Sequence, residues 1–243
     1  MAELLLIIPF YNESFRISKQ DYIVMFEKYS EIDFLLVDDA STDNTLQMLE
    51  QFSRTFSNVF FLQNSKNSGK AESIRQGFLQ FNVAQYQYIG YFDADLATPI
   101  EEMIKLFHFI SKSEHFLFVM GSRIKLIGNN VQRSLVRHYF GRIFATVISQ
   151  FILKTPIYDT QCGAKIIATD LAIELFKNPF KTKWLFDVEL LLRFKKIDTD
   201  YYKKVAEIPL DTWIEKGNSK IRFKDMIGFP LQLLQIYFHY DKK

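Results

Sequence analysis

Two carboxylates one residue apart, Asp93 and Asp95, close an apolar run in the stretch IGYFDADLATP (89–99). In an extended chain residues two apart point the same way. Both acids would then face one point, where their repulsion calls for a cation. Mg²⁺ is commonly held by one or two carboxylates together with substrate phosphates. The competing reading is a pair of solvated acids that serve a turn or a cap. A second pair, Asp38 and Asp39, precedes Ser41 and Thr42. Acids there either favour a helix start through its dipole or accept hydrogen bonds from a base or ribose. Asn67-Ser68-Gly69-Lys70 has the makings of an anion-binding helix N-terminus. It lacks P-loop spacing, and no GxGxxG follows a strand, which argues against a P-loop nucleotidase or a dinucleotide dehydrogenase. His108, His115, His138 and His239 show no metal-ligand spacing, and His108 reads as structural. Cys162 reads as a small packed residue rather than a nucleophile.

The elements that must position these groups alternate. Strands are expected at 4–9, 32–39, 58–64, 86–95 and 115–123, with helices at 19–30, 41–56 and 68–81. Thr98-Pro99-Ile100-Glu101 reads as a capping box that opens a further helix. This alternation predicts an α/β fold with a doubly wound, mostly parallel sheet, in which ligands sit beyond the carboxyl ends of the strands. Those ends carry Pro9, Tyr11, Asn12 and Glu13, then Asp38 and Asp39, then Asn67, Gly69 and Lys70, then Asp93 and Asp95, then Ser122 and Arg123. Beyond residue 124 the pattern predicts a long helix at 131–153, a loop feeding a strand at 157–167, a short helix at 184–194 and a polar loop at 211–223. No repeat or linker interrupts the chain.

Composition narrows the class. Of 243 residues 48% are hydrophobic, enough for a substantial core, and a net charge of +2 gives no reason to expect a nucleic-acid partner. A single cysteine excludes an internal disulfide and fits a reducing compartment. No run reaches the roughly 18 apolar residues of a spanning helix. The apolar stretch at 4–8 is too short for a signal peptide. Within 131–153, Val136, Tyr139, Phe140, Ile143, Phe144, Val147, Ile148, Phe151 and Ile152 follow helical spacing. No acid lies between Glu114 and Asp159, where Arg123, Lys125, Arg133, Arg137, Arg142 and Lys154 occur. Such a helix packs into a core or lies on an anionic membrane surface; the C-terminal GFPLQLLQIYFHYDKK poses the same choice.

The motifs in their order resemble the family 2 glycosyltransferases of GT-A fold: IIPFYNE (7–13), VDDASTDNT (37–45), NSGKAESIRQG (67–77), DADLATP (93–99) and GSR (121–123). DTQCGAKI (159–166), WLFDVELL (184–191) and WIEKGNSK (213–220) resemble the polyprenyl-phosphate branch, most of all dolichyl-phosphate β-glucosyltransferases and their prokaryotic relatives. Leu96 and Ala97 depart from the usual glucosyl and mannosyl forms of the acidic motif, and Glu215 favours the glucosyl side. The resemblance implies one GT-A domain over 1–243, with a nucleotide-binding half (1–123) and an acceptor-binding half (124–243). Membrane anchors of some relatives have no counterpart here, so a peripheral protein at the cytoplasmic face of the membrane is expected.

The implied reaction is inverting transfer of a sugar from a nucleotide-diphosphate sugar to a polyprenyl monophosphate. UDP-glucose is the favoured donor and GDP-mannose the second candidate. Mg²⁺ or Mn²⁺ would be held by Asp95, with Asp93 supporting metal or ribose. Arg123 and Lys220 would stabilise charge on the phosphates. Tyr11, Glu13 and Asp39 would hold the nucleoside, and Pro9, Asn12, Asp38, Lys70 and Ala94 belong to the same donor motifs. Asp187 falls where related enzymes with hydroxyl acceptors carry a base, and here it would serve that role or position the acceptor or a cation. Asp159, Gln161 and Lys165 would line the sugar and acceptor region. The alternatives are a GT-A enzyme acting on a soluble saccharide, and a non-catalytic sugar-nucleotide or membrane-binding protein.

Overall fold

The computed structural model describes residues 2–132, 141–142, 144–216 and 223–240. A seven-stranded sheet in the order β3-β2-β1-β4-β7-β5-β8 forms its centre. The strands are β1 (Leu4–Phe10), β2 (Asp33–Asp38), β3 (Val59–Gln63), β4 (Tyr88–Tyr91), β5 (Phe118–Ser122), β7 (Lys165–Ala168) and β8 (Val205–Pro209). All neighbours pair in parallel except β7, which runs antiparallel to both β4 and β5. A parallel ribbon of β6 (Asn130–Gln132) and β9 (Thr212–Ile214) stands apart. The helices are α1 (Lys19–Lys28), α2 (Thr45–Thr55), α3 (Lys70–Gln80), α4 (Ile100–Ser111), α5 (Thr169–Phe176), α6 (Phe186–Ile197) and α7 (Phe223–Tyr240).

Strand β1 shows why the sheet is buried on both faces. Leu5 and Ile7 enter one core with Ile74, Phe78, Phe176 and Leu190. Leu4, Leu6, Ile8 and Phe10 enter the other with Tyr22, Phe26, Leu49 and Met103. A period of two with apolar residues at both phases is the mark of a central parallel strand covered by helices on each side. Chain order reverses between β1 and β4, which places a crevice at their carboxyl ends. Because β7 is antiparallel, the loop that enters it, 159–164, arrives at that same edge. Among the described residues no helix is long and apolar enough to cross a membrane.

Several expected boundaries move. The strand expected at 86–95 ends at Tyr91. The Leu96 amide donates to the Asp93 carbonyl (3.2 Å) and Leu96 adopts φ 51°, so the two acids sit on a turn rather than on one face of a strand. Helix α2 starts at Thr45, later than expected, because the Asp43 carboxylate takes the Thr45 amide (3.0 Å) and hydroxyl (2.6 Å). No capping box forms: α4 starts at Ile100 with Pro99 extended at the cap and no side-chain cap bond. In the region expected as one helix, 131–153, strand β6 takes residues 130–132 and Ile148–Leu153 winds as a π-helix. Residues 133–140 and 143 lie outside the described ones. The polar loop at 211–223 contains β9, and β8 and α5 were not anticipated.

Candidate active site

The loops at the carboxyl edge are cross-braced before any ligand is considered. After β1, Asn12 takes φ 50°, its amide donates to Ser41 Oγ (3.0 Å), and its Oδ1 accepts from the Thr42 amide (2.8 Å). The Ser14 amide and hydroxyl donate to Asp43 Oδ2 at 3.2 and 2.7 Å. Ala40 after β2 has φ 57° and Leu96 after β4 has φ 51°. Non-glycine residues held in the left-handed region cluster where function demands a set backbone; here three stand at the ends of three adjacent strands. Asp39 accepts from the Ser68 amide (2.9 Å), the Gly69 amide (2.7 Å) and Asn64 (3.1 Å). It therefore braces the N-terminus of α3, not that of α2. Asp38 accepts from the Ser41 amide (3.1 Å), while its buried Oδ1 has no hydrogen-bond partner among the described residues.

The acidic pair is split by its surroundings. Asp93 receives Lys70 Nζ at 2.5 Å. Burial pushes the Asp93 carboxyl up, but the Lys70 ammonium outweighs that and holds it below its usual value. The β4–β7 ladder pairs Tyr91 with Lys165; continued by two residues, that register sets Asp93 opposite Gly163. The approach is so close that a Cβ at 163 would lie 2.1 Å from Asp93 Oδ2. Asp95 accepts from the Ala97 amide (3.0 Å) and meets Arg16 at 3.8 Å. Burial and then the neighbouring Asp93 charge push its carboxyl above the usual value. Arg16 also pairs with the buried Glu13 at 2.9 Å. Ala94 is buried, and its carbonyl accepts from Tyr22 (2.7 Å). Pro9 is the penultimate residue of β1 and Tyr11 follows it, half-buried.

Beside this pair lies a second polar group. Arg123 grips Asp159 with Nε at 2.7 Å and a terminal nitrogen at 2.8 Å, and its guanidinium stands 5.3 Å from the Trp213 ring centre. Glu207 of β8 accepts the Tyr158 and Asp159 amides at 2.7 and 2.6 Å. The Ile214 amide donates to the Ala97 carbonyl (3.0 Å), tying β9 to the acidic turn. Gln161 is half-buried, and its Nε2 has no partner among the described residues. Lys165 and Asp187 pair at 2.7 Å, both buried.

Asp93, Lys70, Asp95 and the Arg123–Asp159 pair are thus gathered at one edge. Lys220 lies outside the described residues. Sequence reasoning missed Arg16, Asp43, Tyr91, Gly163 and Glu207. Arg16, three residues after Glu13, stood next to a motif that was noticed, and Asp43 and Gly163 lay within two of them, VDDASTDNT and DTQCGAKI. Tyr91 looked like an ordinary strand residue, and Glu207 lies on β8, where no strand was expected. Among the described residues no group of three or more His, Cys, Asp and Glu could hold a metal alone.

Fold and site together define a glycosyltransferase of GT-A architecture. The chain belongs to glycosyl transferase family 2, which it matches over residues 5–176. Among curated relatives, dolichyl-phosphate beta-glucosyltransferase of Saccharomyces cerevisiae is 32% identical over 237 residues, 88% of this chain and 68% of that protein. Dolichyl-phosphate beta-glucosyltransferase ALG5D of Trichomonas vaginalis is 32% identical over 248 residues, 96% and 72% respectively. Among solved structures, glucosyl-3-phosphoglycerate synthase from Mycobacterium tuberculosis, crystallised with Mn²⁺, uridine diphosphate and phosphoglyceric acid, superposes with a TM-score of 0.73 at 13% identity, covering 98% of this chain and 78% of that one. The expected family and fold are borne out.

Proposed function

We propose that the protein transfers glucose, with inversion, from UDP-glucose to a polyprenyl monophosphate at a membrane surface. The observation that carries this is an acidic turn ringed by cations at the switch point of the sheet, in a chain resembling dolichyl-phosphate beta-glucosyltransferases over most of its length. The leaving nucleoside diphosphate carries the charge problem. Arg16, Lys70 and Arg123 supply positive charge around it, and such preorganised groups act where negative charge develops. A divalent cation fits the site: Asp95 is a half-buried acid beside a second carboxylate, with an arginine at 3.8 Å, and burial and the Asp93 charge hold its carboxyl above the usual value. Asp95 would hold it, beside an Asp93 already committed to Lys70, with substrate phosphates completing the shell. When bound, such a cation supplies Lewis-acid stabilisation of the departing diphosphate. The acceptor phosphate is largely ionised near neutral pH, so attack on the sugar carbon needs no strong base.

A membrane-facing surface supports the lipid acceptor. Leu231, Leu234 and Phe238 are exposed along one side of α7, and Val147 and Phe151 along the 144–153 segment. The two meet through Phe144 and Phe229, whose rings are 5.3 Å apart. The test is transfer of radiolabel from UDP-glucose, and in parallel from GDP-mannose, to a short polyprenyl phosphate with Mg²⁺ or Mn²⁺. Glucose label in the organic phase is expected. Chelation should abolish it, and Asp95→Ala should lower it by at least about 10²-fold in a folded protein. Label reaching a saccharide and never the lipid would overturn the acceptor assignment.

A further inference from the structure

Behind the catalytic edge stands a wholly buried cation. The Lys165 ammonium meets the Thr160 carbonyl at 3.1 Å, the Cys162 carbonyl at 2.5 Å and Asp187 Oδ1 at 2.7 Å. An ammonium has three donors, and all three are used inside the protein. The same Asp187 oxygen accepts from the Tyr91 hydroxyl at 2.7 Å. Tyr91 ends β4, two residues before Asp93, and is the ladder partner of Lys165. Asp187 opens α6. One carboxylate oxygen thus joins α6, β4 and β7, and through Lys165 it reaches the two carbonyls that shape the loop in which Gly163 presses on Asp93.

A general base must come within about 2.6–3.2 Å of the proton it takes, directly or through one water. Asp187 is only 4% exposed, and one of its oxygens already takes two donors. The charged groups facing it are Lys165 on β7 and Lys70 on α3, with the Tyr91 hydroxyl on β4. Removing one member of a buried ion pair leaves an uncompensated charge, so loss of activity on deleting Asp187 would not by itself identify a base.

We infer that Asp187 is a positioning residue: with Lys165 and Tyr91 it forms a buried post that sets the 159–164 loop against Asp93, and neither Asp187 nor Lys165 touches the substrate. This rests on glycosyl transfer as the activity, not on the lipid acceptor. The assay therefore follows UDP release from UDP-glucose with either a polyprenyl phosphate or a saccharide acceptor. Release with the saccharide alone would overturn the lipid reading and leave this test intact.

The variants are Asp187→Asn, Asp187→Ala and Tyr91→Phe, each compared with the wild type in kcat, KM, UDP affinity and pH profile. The amide of Asp187→Asn still accepts from Tyr91 and Lys165, so this variant should keep about a tenth of kcat or more, while Asp187→Ala should fall about 100-fold through misplacement of the edge. Both should keep the wild-type pH profile. Tyr91→Phe should lower kcat a few-fold without moving any limb of that profile. The inference is overturned if the Asn and Ala variants are equally dead, by about 10³-fold, while folded and binding UDP normally. It is also overturned if Tyr91→Phe shifts the acid limb upward, as losing a hydrogen bond to a titrating base would. Should Asp187→Ala not fold, the other two variants decide the question.

Discussion

Gly163 has no side chain, and the site depends on that. A Cβ there would fall 2.1 Å from Asp93 Oδ2 and 3.1 Å from Lys70 Nζ. Gly163→Ala must therefore push apart the ion pair that holds Asp93 ionised. A displacement near 1 Å at a reacting centre can cost about 10²-fold in rate. The expected result is a kcat lowered by that order with an unchanged melting temperature; wild-type kcat would show that the pair can move without consequence. The neighbouring thiol tells the opposite story. Cys162 is fully buried, and burial pushes it up to about 11. At pH 8 it is a thiol shut off from solvent, so iodoacetamide should label it after denaturation and not before. At this scale the sequence displayed the acids but not their difference. Asp93 and Asp95 share a motif, yet one is held low by a lysine 23 residues away in the chain and the other is pushed up by burial and by its partner. Spacing along the chain carries no trace of Lys70.

Elements position these residues through short polar clips, and Asp43 is the clearest. It takes the amide and hydroxyl of both Ser14 and Thr45, fastening the β1 loop to the start of α2. Burial pushes its carboxyl up, but those hydrogen bonds from Thr45 and Ser14 outweigh it and set it below the usual value. A carboxyl lowered on folding adds stability above its unfolded value, and that stability is lost as pH falls through the folded one. Asp43→Ala should lower stability by about 1 kcal/mol at neutral pH, a figure kept small because the clip is partly solvated. The gap to wild type should close as pH falls below about 4. Thermal melts across that range check it, and a constant gap would mean that the carboxylate charge plays no part. The alternation of strands and helices up to β5 was legible because period two and period 3.6 differ within a few residues. The reversal of β7 was not, since an apolar run fits a parallel and an antiparallel neighbour equally well. That reversal delivers Asp159, Gln161 and Gly163 to the edge. Their motif marked Asp159 and Gln161 as site residues and left Gly163 unremarked, but only the ladder explains their arrival.

For the whole molecule, the question is how a chain with no spanning helix among its described residues would meet the lipid acceptor proposed for it. Leu231, Leu234 and Phe238 are 71%, 52% and 57% exposed, and spacings of three and four put them on one side of α7. Phe151 is 64% exposed on the helix that contacts α7 through Phe144 and Phe229. Where both segments end, Lys196 donates to the His239 carbonyl (3.5 Å) and Lys195 to the Leu153 carbonyl (3.1 Å), so two cations stand at the ends of the segments that carry the apolar side. Burying one such side chain is worth about 1.5–3 kcal/mol, and a lysine near an anionic surface adds about 1 kcal/mol. Together these exceed what a fortuitous surface contact would give. Leu231→Glu combined with Leu234→Glu should therefore weaken co-sedimentation with anionic vesicles by at least about tenfold. The same pair should depress glucose transfer to vesicle-embedded polyprenyl phosphate in proportion while leaving UDP affinity at the wild-type value. Raising salt should weaken binding of the wild type in part, through the lysines, and leave an apolar remainder that the double variant lacks. Equal sedimentation of the two proteins would mean that this side of α7 meets something other than lipid, and the membrane would have to be sought on another face.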